Sequence, residues 1–153
     1  MHFEKALLRQ RGVTLIELMI VIVILALIAS FAYPSYMRYV VDTKRTAATS
    51  ILLQVADRQQ QFFMDNKRFT NDLTNLGFAA NPLVIADDGR TMAGAGDSDS
   101  TYSVALSNVT ATTYTITAAP LNGQAAHDTE CGSLTLNQAL TKGSSGGGGD
   151  CWK

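Results

Sequence analysis

The sequence predicts an α+β fold in which a long N-terminal helix, transmembrane in its first half, packs against a small antiparallel β-sheet head. Three observations indicate this fold: an uncharged apolar run at residues 18–37, a helical spacing of apolar residues after it, and three later segments that alternate between apolar and polar residues. The chain has 153 residues, which leaves enough length after the apolar run for one small domain with its own core.

The apolar run is long enough to cross a bilayer. About 20 residues at about 1.5 Å each cover a hydrocarbon core of about 30 Å. Lys5, Arg9 and Arg11 precede the run against Glu4, so the positive-inside tendency places the N-terminus in the cytoplasm and the rest outside. A cleaved secretory signal or a plain single-pass anchor is the alternative, although the run exceeds the roughly 7–15 residues usual in such signals.

Glu17 stands at the start of this run and requires an explanation. A carboxylate deep in hydrocarbon costs on the order of 2.5–3.5 kcal/mol, and the helix dipole lowers that cost near a helix start. If the chain is cut between Gly12 and Val13, the new amine lies one helical turn from Glu17. An amine and a carboxylate attract strongly in apolar surroundings, within one subunit or between neighbours. We therefore hypothesise that Glu17 fixes the register of packed helices.

The stretch RGVTLIELMIVIVILALIASFAYPSY resembles the N-terminus of type IV pilins, with a basic leader ending in Gly, then a helix with Thr-Leu-Ile-Glu and a later Pro. The resemblance implies that a prepilin peptidase cuts after Gly12 and methylates the amine of Val13, which stands where the family usually has Phe. It also implies that Glu17 guides docking into the growing filament. Pro34 is either a harmless kink or, by the resemblance, a point where the helix bends or locally melts.

The resemblance implies three segments: a leader peptide at 1–12, a transmembrane and filament-core helix at 13–39, and a globular α+β head at 40–153 with a C-terminal disulfide loop. The implied location is the inner membrane, with a cytoplasmic N-terminus, before assembly, and the extracellular filament afterwards. The implied partners are other pilin subunits, the prepilin peptidase and the inner-membrane assembly platform. No cofactor, metal or small-molecule substrate is expected.

The predicted helix continues to about residue 65, and its outer half offers an apolar stripe to the head. The stripe consists of Ala47, Ala48, Ile51, Leu52, Val55, Ala56, Gln59, Phe62 and Phe63. Residues 70–77 predict a turn with one short helical segment. The segments TYSVALS, TTYTITAAP and CGSLTLNQ predict three strands whose apolar positions face the helix stripe.

Residues 81–100 predict a loop that is rich in aspartate. The aspartates, Asp87, Asp88, Asp97 and Asp99, suggest either a calcium site or a solvated, mobile loop. Their spacing fits no established calcium loop, which favours the solvated loop. A further short motif, Asn108-Val109-Thr110, matches the N-glycosylation acceptor pattern.

Cys131 and Cys151 predict one disulfide, because an even count follows an export-type N-terminus. A structural zinc site would need more ligands than these two residues and the histidines, His2 and His127. The glycine run before Cys151 predicts a flexible loop that the disulfide tethers. Trp152 is expected to pack beside the disulfide.

The sequence predicts no enzyme, because the mature chain would keep one histidine and two paired cysteines. Nucleic-acid binding is not expected, since the net charge is −1 and no basic stripe alternates with aromatic residues. The leading hypothesis is a structural subunit of a type IV pilus, with a minor pilin favoured. The alternatives are a pseudopilin of a type II secretion system and a pilin that captures DNA for uptake. Adhesion and twitching motility are properties of a whole filament.

Overall fold

The structure, a computed structural model, describes residues 12–93 and 97–152 and divides into two compact units, Met1–Arg38 and Tyr39–Lys153. Its elements in chain order are α1 (Leu15–Asn66), a 3₁₀ helix (Leu73–Leu76), β1 (Leu83–Ala86), β2 (Thr91–Ala93), β3 (Ser100–Ser107), β4 (Thr115–Pro120), α2 (Asn122–His127), β5 (Leu134–Asn137) and β6 (Lys142–Ser144). The strands form one antiparallel sheet in the order β2-β1-β3-β4-β5-β6. The α+β prediction is therefore confirmed. Residues 1–11 of the predicted leader lie outside the described residues.

In the second unit, α1 buries one stripe against the sheet. The stripe comprises Val41, Arg45, Ala48, Thr49, Ile51, Leu52, Val55, Ala56 and Gln59. From the sheet, the inward-facing side chains of Val104, Ile116, Leu134 and Leu136 are fully buried against it. The predicted helical stripe and the three predicted strands are thus confirmed, and the 3₁₀ helix occupies the predicted turn.

The prediction of a loop over residues 81–100 was wrong, because this segment contains a β-hairpin. Strand β1 pairs with β2 on one side and with β3 on the other. All four residues of β1 are buried, so the strand shows no alternation between apolar and polar positions. A short strand that is covered on both faces and flanked by Asp and Gly carries no clear periodic signal.

Two further elements, α2 and β6, were also not predicted from the sequence. Helix α2 has six residues, contains Gly123 and begins at Asn122 with a φ of 46°. Gly and a left-handed start are both unfavourable in an isolated helix. Tertiary contacts with β3 and β4 therefore hold α2 in place.

A buried polar network joins α1 to α2 and β3. Arg45 donates to both oxygens of the Asp128 carboxylate, over 2.6 Å from Nη2 and 3.1 Å from Nε. The Tyr102 hydroxyl donates to the same carboxylate over 2.7 Å, and burial raises the pKa of Tyr102, so this hydroxyl keeps its proton. Gln124 Nε2 lies 2.9 Å from the Tyr102 hydroxyl and 3.2 Å from the carbonyl oxygen of Val41. The network compensates the burial of a charge that would otherwise be costly.

The C-terminal loop is closed by the predicted disulfide between Cys131 and Cys151. The glycine run inside it is packed rather than free, contrary to the expectation of a flexible loop. Gly146 donates its N–H to the Cys131 carbonyl over 3.0 Å, and Gly148 donates to Glu130 over 3.1 Å. Glycine is required here because two backbone segments approach each other closely.

Trp152 follows the disulfide and packs, partly buried, against the core cluster that contains both cysteines. Its indole N–H donates to the Gly143 carbonyl on β6 over 2.9 Å. The Lys142 ammonium lies 5.5 Å from the centre of the indole ring. Trp152 is therefore fastened to β6, and Cys151 to the segment that precedes β5.

Replacing Gly146 by alanine is expected to destabilise the head by about 1–3 kcal/mol, because the new Cβ would overlap the carbonyl oxygens of Glu130 and Thr129. The matched control is Gly149→Ala, whose Cβ meets no atom within 4 Å; it is expected to change stability by less than about 0.5 kcal/mol. Urea unfolding of the full chain in detergent, followed by Trp152 fluorescence, measures both. Equal effects would show that the glycine loop is not tightly packed.

Candidate functional site

The N-terminal half of α1 presents apolar surface on all sides. Every residue in the range 12–36 is exposed. Within the described residues, α1 is the one helix that is long and apolar enough to cross a membrane, by length and composition. Apolar surface of this extent marks a membrane or protein contact site. It is the candidate membrane and assembly segment of the chain.

Thr14 and Glu17 begin α1. The Glu17 N–H donates to the Thr14 side-chain oxygen over 3.3 Å, and the Leu18 N–H donates to the Thr14 carbonyl over 3.2 Å. Threonine followed three residues later by glutamate is the spacing of a helix capping box. The observed bond makes Thr14 the cap, and it uses the backbone of Glu17 rather than its carboxylate. By its spacing, the Glu17 side chain is a candidate for the second half of the box as well as for pairing with a cation.

The predicted cleavage residues lie just before the helix. Gly12 and Val13 are exposed and not helical, and Val13 is 68% exposed. Pro34 lies inside α1, where it cannot donate to the carbonyl of Ser30. The Ser30 hydroxyl in turn donates to the Leu27 carbonyl over 2.7 Å, which satisfies this polar group within the helix.

A groove lies in the second unit at the C-terminal end of α1. Its larger part has a volume of about 470 Å³. It is lined by Phe62, Arg68, Phe69, Thr70, Asn71, Asn75, Val109, Thr110 and Ala111. Below the groove, the Phe69 ring packs edge-on against Tyr114, with ring centres 4.7 Å apart. Gln59 holds this wall in place by exchanging two hydrogen bonds with the backbone of Thr70, of 2.7 and 3.2 Å.

A second cleft continues this groove, since both are lined by Phe62 and Asn75. Arg58 lies in the second cleft, donates to the Leu76 carbonyl over 2.8 Å and stacks 4.3 Å from the centre of the Phe78 ring. Arg58, Lys67 and Arg68 lie at this end of α1 together with Asp57, Asp65 and Asp72, so residues 57–72 carry no net charge. The groove was not predicted, because its walls come from segments that are far apart in sequence.

The aspartate-rich hairpin lies at the opposite end of the head part of α1. Asp87 pairs with Lys44 over 2.5 Å, and Asp88 pairs with Arg90 over 2.5 Å. Lys44 and Arg58 are 14 positions apart, which corresponds to about 21 Å along the helix. Among the described residues, no group of His, Cys, Asp or Glu is arranged to hold a metal ion. The net charge close to zero therefore conceals an acidic hairpin, in which four aspartates at 87–99 stand against one arginine.

The structure does not gather the predicted site residues into one place. Gly12, Val13, Glu17 and Pro34 belong to the first unit, whereas the disulfide belongs to the second. The predicted N-glycosylation residues fall in the exposed β3–β4 connection, where Asn108 has a φ of 51°. The chain thus carries an apolar helix in one unit and a polar groove in the other.

Two family models match the chain. Residues 34–135 match the family described as type IV minor pilin ComP, DNA uptake sequence receptor. Residues 7–33 match the prokaryotic N-terminal methylation motif. The first match covers more than half of the chain, and the second covers the start of the apolar helix.

Several curated proteins are similar to the chain. It is 35% identical to the type IV major pilin protein PilA of Myxococcus xanthus over 46% of this chain and 32% of the relative. It is 35% identical to the type II secretion system core protein G of Dickeya chrysanthemi over 45% of each. It is 31% identical to a fimbrial protein of Pseudomonas aeruginosa over 49% of this chain and 53% of the relative. The chain thus spans about a third to half of the length of these relatives.

Proposed function

We propose, from the premise that this chain belongs to the type IV minor pilin ComP family, that a prepilin peptidase cuts it after Gly12 and that it enters a pilus through its apolar helix. In this proposal the peptidase also methylates the amine of Val13. The apolar helix holds the subunit in the inner membrane, with a cytoplasmic N-terminus, until the assembly platform transfers it to the filament. There it packs against the helices of other pilin subunits.

The observation that carries this proposal is that every residue in the range 12–36 is exposed. Such surface costs free energy in water, about 25 cal/mol per Å² of apolar area. Lipid covers it before assembly, and neighbouring apolar helices cover it afterwards. The exposed, non-helical chain at Gly12 and Val13 supports access by a peptidase.

Mass spectrometry of sheared, purified filaments tests this proposal. The expected mature protein begins Val13-Thr14-Leu15-Ile16-Glu17, carries a methyl group on its amine and retains the Cys131–Cys151 disulfide. A protein that still begins with Met1, or that is absent from filaments while abundant in the cell, would contradict the proposal.

A second candidate function is capture of DNA, which we propose for the groove at the C-terminal end of α1. The family description names a DNA uptake sequence receptor. The groove combines Arg68 with exposed amide and hydroxyl groups and with the Phe62 ring. Arg58 lies in the adjoining cleft together with Asp65. Cations contact phosphates, and side-chain amides and aromatic rings contact bases.

Fluorescence anisotropy with a short labelled DNA duplex tests this second function on the full chain in detergent. Arg68→Glu is expected to weaken binding by about tenfold or more and to reduce its salt dependence. The matched control is Arg90→Glu, a reversal of an exposed arginine in the aspartate-rich hairpin, which is expected to leave binding unchanged. Equal losses in both variants would mean that charge acts without a defined site, and binding that is insensitive to Arg68 would remove this function from the groove.

A further inference from the structure

Three exposed tyrosines lie on α1 at the C-terminal end of the apolar run and just after it. Tyr33, Tyr36 and Tyr39 are 67%, 65% and 71% exposed. None of their hydroxyls makes a hydrogen bond within the described part of the chain. At about 100° per residue, successive tyrosines are turned by about 60°, so the three spread over about 120° of the helix surface. Such a spread suits a surrounding layer better than one narrow seam.

The distance from the start of the mature chain to the first of these tyrosines matches a bilayer. Residues 13–32 number about 20 and span about 30 Å of helix, the thickness of a hydrocarbon core. When Val13 lies at the cytoplasmic edge of the hydrocarbon, Tyr33 lies at the opposite edge. Met37 and Val40 are the first partly buried residues, and Val41 is the first buried one. Along α1, the tyrosines therefore lie between residue 32, where a segment of bilayer length ends, and Val41, the first buried residue.

The polar groups around this boundary agree with it. On the hydrocarbon side, the Ser30 hydroxyl is satisfied by the Leu27 carbonyl, as a polar group in lipid requires. On the other side, Arg38 is the first charged residue after Glu17 and is exposed. Tyrosine is enriched at the membrane–water interface because its ring is apolar and its hydroxyl is hydrated.

We propose that Tyr33, Tyr36 and Tyr39 form an interfacial belt that binds the phospholipid headgroup layer on the side of the head and sets the depth of the subunit before assembly. This inference rests on the proposed anchoring of α1 in a membrane. The belt stops the helix from sinking, since without it the apolar stretch would continue without a charge to Met37. The partner is the lipid interface rather than the helix of a second copy.

Accessibility of single engineered cysteines tests the belt on the full chain, in spheroplasts of a bacterium that lacks pilus assembly genes. The native cysteines are bridged and do not react with a membrane-impermeant maleimide. The reporters are Ser30→Cys, Ser35→Cys and Thr43→Cys, all at exposed positions. Labelling is expected to be absent at 30, complete at 43 and intermediate at 35, about tenfold slower than at 43.

Replacing the three tyrosines by alanine is expected to lower labelling of Ser35→Cys by about tenfold, towards the level at 30, since the helix then sinks or tilts. Replacing them by tryptophan, which also prefers the interface, is expected to preserve labelling at 35. Unchanged labelling of Ser35→Cys in the alanine variant overturns the belt. Strong labelling of Ser30→Cys in the wild-type background would instead overturn the membrane anchoring on which the belt rests.

Discussion

Glu17→Ala is expected to leave leader cleavage and membrane insertion intact and to reduce incorporation into filaments by about a hundredfold or more. The proposed reason is the loss of the pair between the Glu17 carboxylate and the Val13 amine inside packed apolar helices. Removing one partner of a buried ion pair costs about 3–5 kcal/mol, and each 1.4 kcal/mol is a tenfold change in an equilibrium constant. Immunoblots of sheared filaments and of membranes measure incorporation and insertion separately.

The capping arrangement at Thr14 provides a rival explanation for any such loss. Glu17→Gln separates the two, because glutamine also completes a capping box but carries no charge. If Glu17 acts through its charge, the glutamine variant fails in assembly as the alanine variant does. Normal assembly of Glu17→Gln would assign the role of this residue to the start of the helix. Thr14→Ala, which removes the cap but retains the carboxylate, is expected to assemble.

Asp128→Asn is expected to have the largest effect on stability, about 3–5 kcal/mol at neutral pH. The substitution leaves the buried Arg45 guanidinium without its carboxylate and disturbs the hydrogen bonds from Tyr102 and Gln124. The control is Asp42→Asn, at the more exposed end of the same arginine, where the Asp42 side chain is 41% exposed. This variant is expected to cost less than about 1 kcal/mol. Urea unfolding of the full chain in detergent compares the two.

The same network predicts how stability depends on pH. Burial alone would raise the pKa of Asp128, but the hydrogen bonds from Arg45 and Tyr102 outweigh it and hold the pKa below its ordinary value. A carboxylate whose pKa is lower in the folded state contributes stability above its ordinary pKa, near 3.9, and this contribution is lost as the pH falls through the folded-state pKa. Wild-type stability should therefore fall steeply in acid, whereas Asp128→Asn should change little there. Parallel pH profiles would contradict this assignment.

The sequence was sufficient for elements with a long periodic signal. The helical stripe around Leu52 and Val55, and the alternating strands, repeat often enough to reveal a buried face. Strand β1 and helix α2 lack such repetition, because one is covered on both faces and the other is a short helix held by its neighbours. At the start of α1, the long apolar run was predicted. The cap at Thr14 was not, because it depends on a single local spacing.

The polar network and the groove could not be predicted for a different reason. Arg45 and Asp128 are 83 positions apart, and nothing local in either segment indicates that they meet. The residues around Arg68 and those of the β3–β4 connection line the groove together, although they are far apart in sequence. Composition gives one net charge for the chain, whereas the fold places the acidic hairpin beside Lys44.

The indole of Trp152 limits how one border of the sheet can be used. Strand β6 is the last strand of the sheet, and an exposed border strand invites backbone pairing with a neighbouring chain. The Gly143 carbonyl on that border already accepts the indole hydrogen. A strand that paired with β6 through this carbonyl would first have to break the bond to Trp152.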